Sequence, residues 1–179
     1  MKRGFEVVSK YKQDQLNLPY RTTQNAAGYD FESRVDMVIP SIWKLNFLKA
    51  LRVIRKSKTL SDEELNAAKA ELKPFLVPTG IKAYMEDNEV LIIANRSSNP
   101  LKRGLVIPNG IGVIDADYYN NEKNEGEIFI QLINFGITDI KINKGERIGQ
   151  GIFMPYLLSD QDASQIKRKR NGGFGSSGK

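Results

Sequence analysis

The 179-residue chain contains no cysteine and no histidine. Without cysteine there is no disulfide, no thiolate metal site and no cysteine nucleophile. Without histidine, the usual general base at neutral pH and the commonest metal ligand are missing. Any catalysis must therefore rest on carboxylates, lysine, tyrosine or a metal held by oxygen atoms. Long apolar runs are lacking as well. The start, MKRGFEVVSKYKQ, has no stretch long enough for a signal peptide, and no run approaches the roughly 18 apolar residues of a membrane span. The expectation is a soluble, cytoplasmic protein without membrane contact.

What is present is ordinary for a globular chain: 40% hydrophobic and 27% charged residues, in a length that suits one domain. The formal net charge is +6. Its excess sits mainly in KALRVIRKSK (49–58) and KRKR (167–170). Such a balance suits an anionic partner, or is simply two solvated basic faces. No aromatic residues interleave the basic runs, so a nucleic-acid partner is not expected.

GFEVVSKY reads as a short strand, NAAG (25–28) as a turn, and YDFESRVDMVIP as one or two strands. The stretch 41–74 differs. Leu45, Leu48, Leu51 and Ile54 recur at helical spacing, and Ser61 stands three residues before Glu64 as a capping box. The region reads as a helical hairpin inserted in a β-protein, closed by Pro74, with Trp43 as a packing anchor. From Phe75 onward short apolar runs return (FLVP, VLIIA, GLVIP, IGVID, IFIQLI, IKI, GIFMPYLL), cut by Gly, Asn, Pro and charge. Many short, evenly spaced strands predict an all-β sandwich or barrel. Residues 1–158 form the expected β domain, and the polar stretch 159–179 a mobile C-terminal arm.

Four segments carry possible chemistry. Arg96, Ser97 and Ser98 offer an arginine fork and two hydroxyls, which make either a phosphate cradle or an exposed turn. In NGIGVIDADYY (109–119), Asp115 ends an apolar run. A carboxylate there is costly to desolvate, so it is either a general base or a partner for turn amides. GERIGQGIF (145–153) reads as a turn plus a core strand. The ending RNGGFGSSGK is a Gly/Ser tail or an anion-binding nest, with glycines freeing backbone N–H groups for phosphate and a phenylalanine to stack on a base. It is not a Walker A loop, since no Ser or Thr follows Lys179.

Taken in order, these segments resemble the five motifs of the trimeric dUTPases. AAGYDF (26–31) is similar to the first, NRSSNPLKRGL (95–105) to the second and NGIGVIDADYY to the third. ERIGQ (146–150) is similar to the fourth and RNGGFGSSG (170–178) to the fifth. The resemblance implies a β-clip fold, a distorted jelly-roll, assembled as a homotrimer whose three sites each draw on all three subunits. It implies that Asp115 orients and deprotonates the attacking water. Tyr118 would lie under the deoxyribose, and the main chain from Asn109 through Gly112 to Ile114 would read uracil. Arg96, Ser97, Ser98 and Gln150 would contact phosphates. Asp30 would hold a water bound to magnesium. Phe174 would cover uracil, Gly175, Ser176 and Ser177 would bind the γ-phosphate, and Arg170 would be the mobile arginine. Substrate would be dUTP, cofactor Mg2+, and products dUMP and pyrophosphate.

Three features depart from the family pattern. The insert at 41–74 is additional; such an insert packs on its own trimer more often than it docks a membrane or a protein partner. YYNNEKNEGEI is longer than the usual link after the third-motif tyrosine, which predicts an extended, exposed hairpin tip. Arg170 stands one residue closer to Phe174 than usual, with Lys169 at the family's spot. Two other functions fit parts of the pattern: a dCTP deaminase, which shares the fold and an RSS motif, and a nucleotide-gated regulatory protein that uses the insert.

Overall fold

The computed structural model describes residues 2–44, 51–55, 61–63, 66 and 73–162. Runs of β-branched and aromatic residues become eleven strands among these residues. They are β1 (Gly4–Val7), β2 (Tyr29–Glu32), β3 (Met37–Ile39), β4 (Phe75–Pro78), β5 (Ile81–Tyr84) and β6 (Glu89–Ala94), then β7 (Leu105–Val106), β8 (Ile111–Asp115), β9 (Phe129–Asn134), β10 (Ile140–Ile142) and β11 (Arg147–Pro155). The ladders are antiparallel throughout. The largest sheet has the order β2-β11-β6-β8, and three smaller ones are β4-β9-β7, β1-β5 and β10-β3. The fold is all-β, as the strand pattern predicts.

Period-2 alternation decides which side chains form the core. Along β6 the burial alternates, so Leu91 and Ile93 point inward. Ile130 and Leu132 do the same from β9. Phe31, Ile39, Leu91, Leu132, Ile142 and Ile148 are fully buried. Each such side chain contributes about 2 kcal/mol by leaving water. At one edge, Phe5 packs edge-on against Phe31 and Tyr29, with ring centroids 5.4 Å apart, and clasps β1 to the main sheet.

Strand β5 was not among the apolar runs. Its sequence IKAY carries Lys82, only 6% exposed, whose Nζ donates to Asn120 Oδ1 at 2.6 Å and lies 3.7 Å from Glu6. A lysine satisfied inside the fold breaks the hydrophobic signal without breaking the strand.

The segment read as a helical insert begins on the β body. Ser41 is buried, donates its N–H to Asp139 Oδ1 (3.0 Å), and forms a β-bridge with Asn134. Trp43 Nε1 donates to the Phe135 carbonyl at 2.7 Å, and Lys44 pairs with Asp139 at 2.8 Å. Residues 51–55, 62, 63 and 66 are helical. Leu51 and Ile54 are exposed there, whereas Leu45, Leu48 and the Glu64 end of the capping box lie outside the described residues.

The link after Tyr118 exposes Asn120, Glu122 and Lys123 as expected, but it is compact rather than extended. Asn121 and Glu127 are buried, at 7% and 2% exposure. The loop is compact because its asparagine side chains replace strand hydrogen bonds. Asn121 Oδ1 accepts from the Lys123 and Asn124 N–H groups, and Asn124 Oδ1 from that of Gly126.

Candidate active site

The sequence motifs converge on two places. The first is the hairpin that leads into β8. After Ile107, the turn Pro108–Gly110 is closed by a bond from the Gly110 N–H to the Ile107 carbonyl (3.0 Å). Among the described residues β8 pairs with β6 only, which makes it an edge of the main sheet. An edge strand presents one row of backbone donors and acceptors that no neighbouring strand uses. Beside it lies a cavity of about 170 Å³, lined by Asn109, Gly112, Val113, Ile114 and the buried Tyr118, with Ile93 beneath. Glycine at position 112 keeps this wall thin. The wall is apolar, with backbone polar groups: suited to a flat heterocycle.

Asp115 is the last residue of β8 and caps the short turn Ala116–Tyr118, with extended backbone (φ −77°, ψ 155°). It is half-buried and lines an open groove with Asp87, Asp117 and Tyr156. The strand therefore delivers the acid immediately beyond the cavity wall formed by Ile114. Tyr118 turns back under the same wall, and its hydroxyl donates to the Glu127 carbonyl at 3.0 Å.

The second place is the opposite corner of the sheet. Asp30 on β2 is 7% exposed and sits opposite Gln150 on β11. One carboxylate oxygen accepts from Arg96 Nε (2.9 Å) and the other from Arg147 Nη1 (3.1 Å). A register shift in β11 between Arg147 and Gly149 brings this second guanidinium round. One carboxylate between two guanidiniums leaves the corner with an excess of positive charge, a suitable setting for phosphate.

The loop that holds Arg96 is pinned by amides. Asn99, 1% exposed, donates from Nδ2 to Asn95 Oδ1 and to the Ile148 carbonyl, both at 2.9 Å. Asn95 Nδ2 donates to the Leu105 carbonyl (2.9 Å), and Gln150 Nε2 to the Asn95 carbonyl (3.0 Å). Gly28 makes room for that glutamine: a Cβ at position 28 would stand 2.3 Å from Gln150 Oε1. Ser97 is exposed and Ser98 half-buried on the rim.

The structure thus brings Asp30, Arg96 and Gln150 together, and separately Asn109, Gly112, Ile114, Asp115 and Tyr118. It does not bring the two groups together within one chain. Asp115 pairs with Val90 and Gln150 with Ala94, at opposite ends of β6, and Asp30 lies one strand beyond. Four residues along the sheet and three strand spacings across it separate the two aspartates by roughly 19 Å. Arg170, Phe174, Gly175, Ser176 and Ser177 lie outside the described residues. Arg147, Asn95 and Asn99 carry no expected role, although all three fall inside the motif segments ERIGQ and NRSSNPLKRGL. Their functions depend on partners 40 to 120 positions away, or on a turn, and leave no local signal.

A base-sized cavity on an edge strand and a guanidinium cluster on the same sheet define a nucleotide-handling protein on an all-β scaffold. Comparison with known proteins narrows the class. The dUTPase family profile matches residues 60–178. The deoxyuridine 5'-triphosphate nucleotidohydrolase of Lactococcus lactis is 46% identical over 176 residues, 98% of this chain and 97% of that protein. The crystal structure of dUTPase from Streptococcus mutans superposes with a TM-score of 0.67 at 40% identity, covering 88% of this chain and 98% of the other. The dUTPase of phage phi11 of S. aureus shares the fold, with a TM-score of 0.61 over 94% of this chain and 96% of its own at 16% identity. The chain belongs to the dUTPase family.

Proposed function

We propose that the protein hydrolyses dUTP to dUMP and pyrophosphate. The observation that carries this reading is the cavity walled by Gly112 and Ile114 with Asp115 next along the strand. Uracil occupies the cavity and hydrogen-bonds the unpaired rim of β8. Thymine is excluded because its methyl group would collide with the thin backbone wall, and cytosine because its donor pattern leaves buried backbone groups unpaired. The sugar lies against the Tyr118 ring, which places the α-phosphorus near the Asp115 carboxylate.

Asp115 accepts a proton from a water molecule that attacks the α-phosphorus in line. The bond to the bridging oxygen of the β-phosphate breaks, and pyrophosphate leaves. A positioned carboxylate base contributes on the order of 10²–10⁴-fold. Arg96 and Gln150 hold the phosphate chain, with Ser97 and Ser98 on the same rim. From the C-terminal arm, Phe174 covers the base. Arg170, Gly175, Ser176 and Ser177 hold the phosphates where negative charge develops.

Magnesium fits this donor set in one way. Among the described residues no group of three or more His, Cys, Asp or Glu side chains could cage a metal. A small, hard cation bound by triphosphate oxygens and water needs no such cage. Asp30, with both oxygens on guanidiniums, would reach it only through a water molecule. When bound, magnesium would neutralise the triphosphate and favour the in-line approach.

The separation of roughly 19 Å between Asp30 and Asp115 means that one nucleotide cannot touch both corners of one chain. We infer a homotrimer in which the β8 hairpin of one subunit faces the arginine corner of another. Two measurements test the whole reading. Pyrophosphate should be released from dUTP and not from dTTP, dCTP or other dNTPs in the presence of magnesium; equal turnover of dTTP or dCTP would contradict it. Co-expressed Asp115→Asn and Arg96→Ala chains, each inactive alone, should regain about a third of wild-type activity in mixed trimers, or about a quarter over a random equimolar population. No recovery would place both corners of a site in one chain.

A further inference from the structure

The compact link after Tyr118 is built around the hydroxyl of that residue. Asn124 Nδ2 donates to Tyr118 Oη at 2.8 Å and to the Glu127 carbonyl at 3.3 Å. The hydroxyl in turn donates to the same carbonyl at 3.0 Å. At the other end of the tyrosine, Asn121 Nδ2 donates to its backbone carbonyl at 2.8 Å and to Asn124 Oδ1 at 2.8 Å. Gly126, with φ +86°, lets the loop close over this carbonyl; a Cβ there would approach it to 2.7 Å.

The clamp is itself anchored to three other parts of the fold. Lys82 Nζ holds Asn120 Oδ1 at 2.6 Å, and the Ser9 N–H donates to Glu125 Oε2 at 2.7 Å. The Gly80 N–H donates to the buried Glu127 at 3.2 Å. Tyr118 is therefore fixed at both its phenol and its main chain, while one face of its ring lines the cavity.

We propose that Asn124, assisted by Asn121, is a positioning residue that locks the Tyr118 ring and so sets the preference for 2'-deoxyribose over ribose. The proposal rests on the reading that the cavity takes a uracil nucleotide with its sugar against that ring. The two sugars differ by a single hydroxyl. A wall excludes one extra oxygen only if it cannot yield; a site must hold its groups to within about 0.5 Å to discriminate at this scale. A tyrosine free to pivot about its Cα–Cβ bond would yield by more than that. The loop whose length departs from the family pattern is thus the part of the molecule that removes this freedom.

The test compares dissociation constants for dUMP and UMP, measured by calorimetry, in wild-type protein, Asn124→Ala, Tyr118→Phe and the double variant. Asn124→Ala should reduce the dUMP-over-UMP preference on the order of fivefold. Added to Tyr118→Phe it should change the preference little, because the hydroxyl through which it acts is already gone. A general loosening of the fold would weaken both ligands together and leave the ratio alone. Should Asn124→Ala fail to fold, Asn124→Ser keeps an acceptor for the Gly126 N–H without reaching the phenol, and takes its place. An unchanged preference in Asn124→Ala, additive effects in the cycle, or no preference in wild-type protein would each overturn the proposal. Pyrophosphate release from dUTP by the wild-type protein is measured alongside. A protein that prefers dUMP but releases none would lose the hydrolytic reading and keep the clamp. One that hydrolyses dUTP while Asn124→Ala retains the preference would lose only the clamp.

Discussion

The two corners of the main sheet solve opposite problems with the same scaffold. The β8 corner is apolar, edge-exposed and lined partly by main chain; it is suited to recognition by shape and by a few backbone groups. The Asp30 corner is charged, with the aspartate buried on edge strand β2 beside β11 and its loop held by side-chain amides; it is suited to recognition by electrostatics. A base tolerates no error in hydrogen-bond pattern, whereas phosphate needs charge and forked donors. On the proposed reading each half of a nucleotide meets the environment that its chemistry favours, and the sheet keeps the two environments apart.

The largest effect should come from the β8 corner. Asp115→Asn removes the base but keeps the shape, and should cut kcat by about 10³-fold, read as pyrophosphate release, with the oligomer unchanged in sedimentation. A variant at full speed would break the comparison, because the corner would then recognise without reacting. The next largest belongs to the charged corner. Asp30→Ala leaves two guanidiniums facing each other, and should lower stability by roughly 2 kcal/mol in urea titration. That figure lies below the value for a deeply buried pair because Arg147 is more than a third exposed. KM for dUTP should rise as Arg96 loses its anchor.

A smaller effect sharpens the contrast. Gly28→Ala pushes the Gln150 side chain off the Asn95 carbonyl. It should raise KM a few-fold, about the worth of one hydrogen bond, while kcat and dUMP-over-UMP preference stay put. The smallest effect lies at the β8 end. Arg3 forms a forked pair with Glu89, which neighbours the Val90 partner of Asp115. The hydrogen bond from Arg3 holds the Glu89 carboxyl below its ordinary value; burial opposes the shift and the Glu86 N–H assists it. A lowered folded-state pKa contributes stability above the unfolded value, near pH 4.3, that is lost as pH falls through the folded one. Arg3→Ala should therefore lower Tm at pH 7, and the gap from wild type should close on acidification below about pH 4.

Much of this was legible in the sequence. Short apolar runs marked most strands; the acid at the end of IGVID singled out Asp115, although that run forms an edge strand with no buried residue rather than the core strand its sequence suggests. What stayed hidden depended on distant partners. Lys82 made β5 look too polar until Asn120 and Glu6 came to meet it. Arg147 gained a role only when a register shift brought it to Asp30. Asn121 and Asn124 sat in a stretch that reads as an exposed tip, because asparagine and glycine signal turns whether or not the turn is packed. Residues Arg170 to Ser177 form a motif by composition alone and lie outside the described residues.

The position of β8 at the margin of its sheet has one more consequence. The outer edge of β8, where Ile111 and Val113 are both about half exposed, is a template on which a foreign strand can add. Bound nucleotide would occupy that template. Ligand-free protein should then be the form most prone to cross-chain β-aggregation during concentration or storage, and substrate its own protectant.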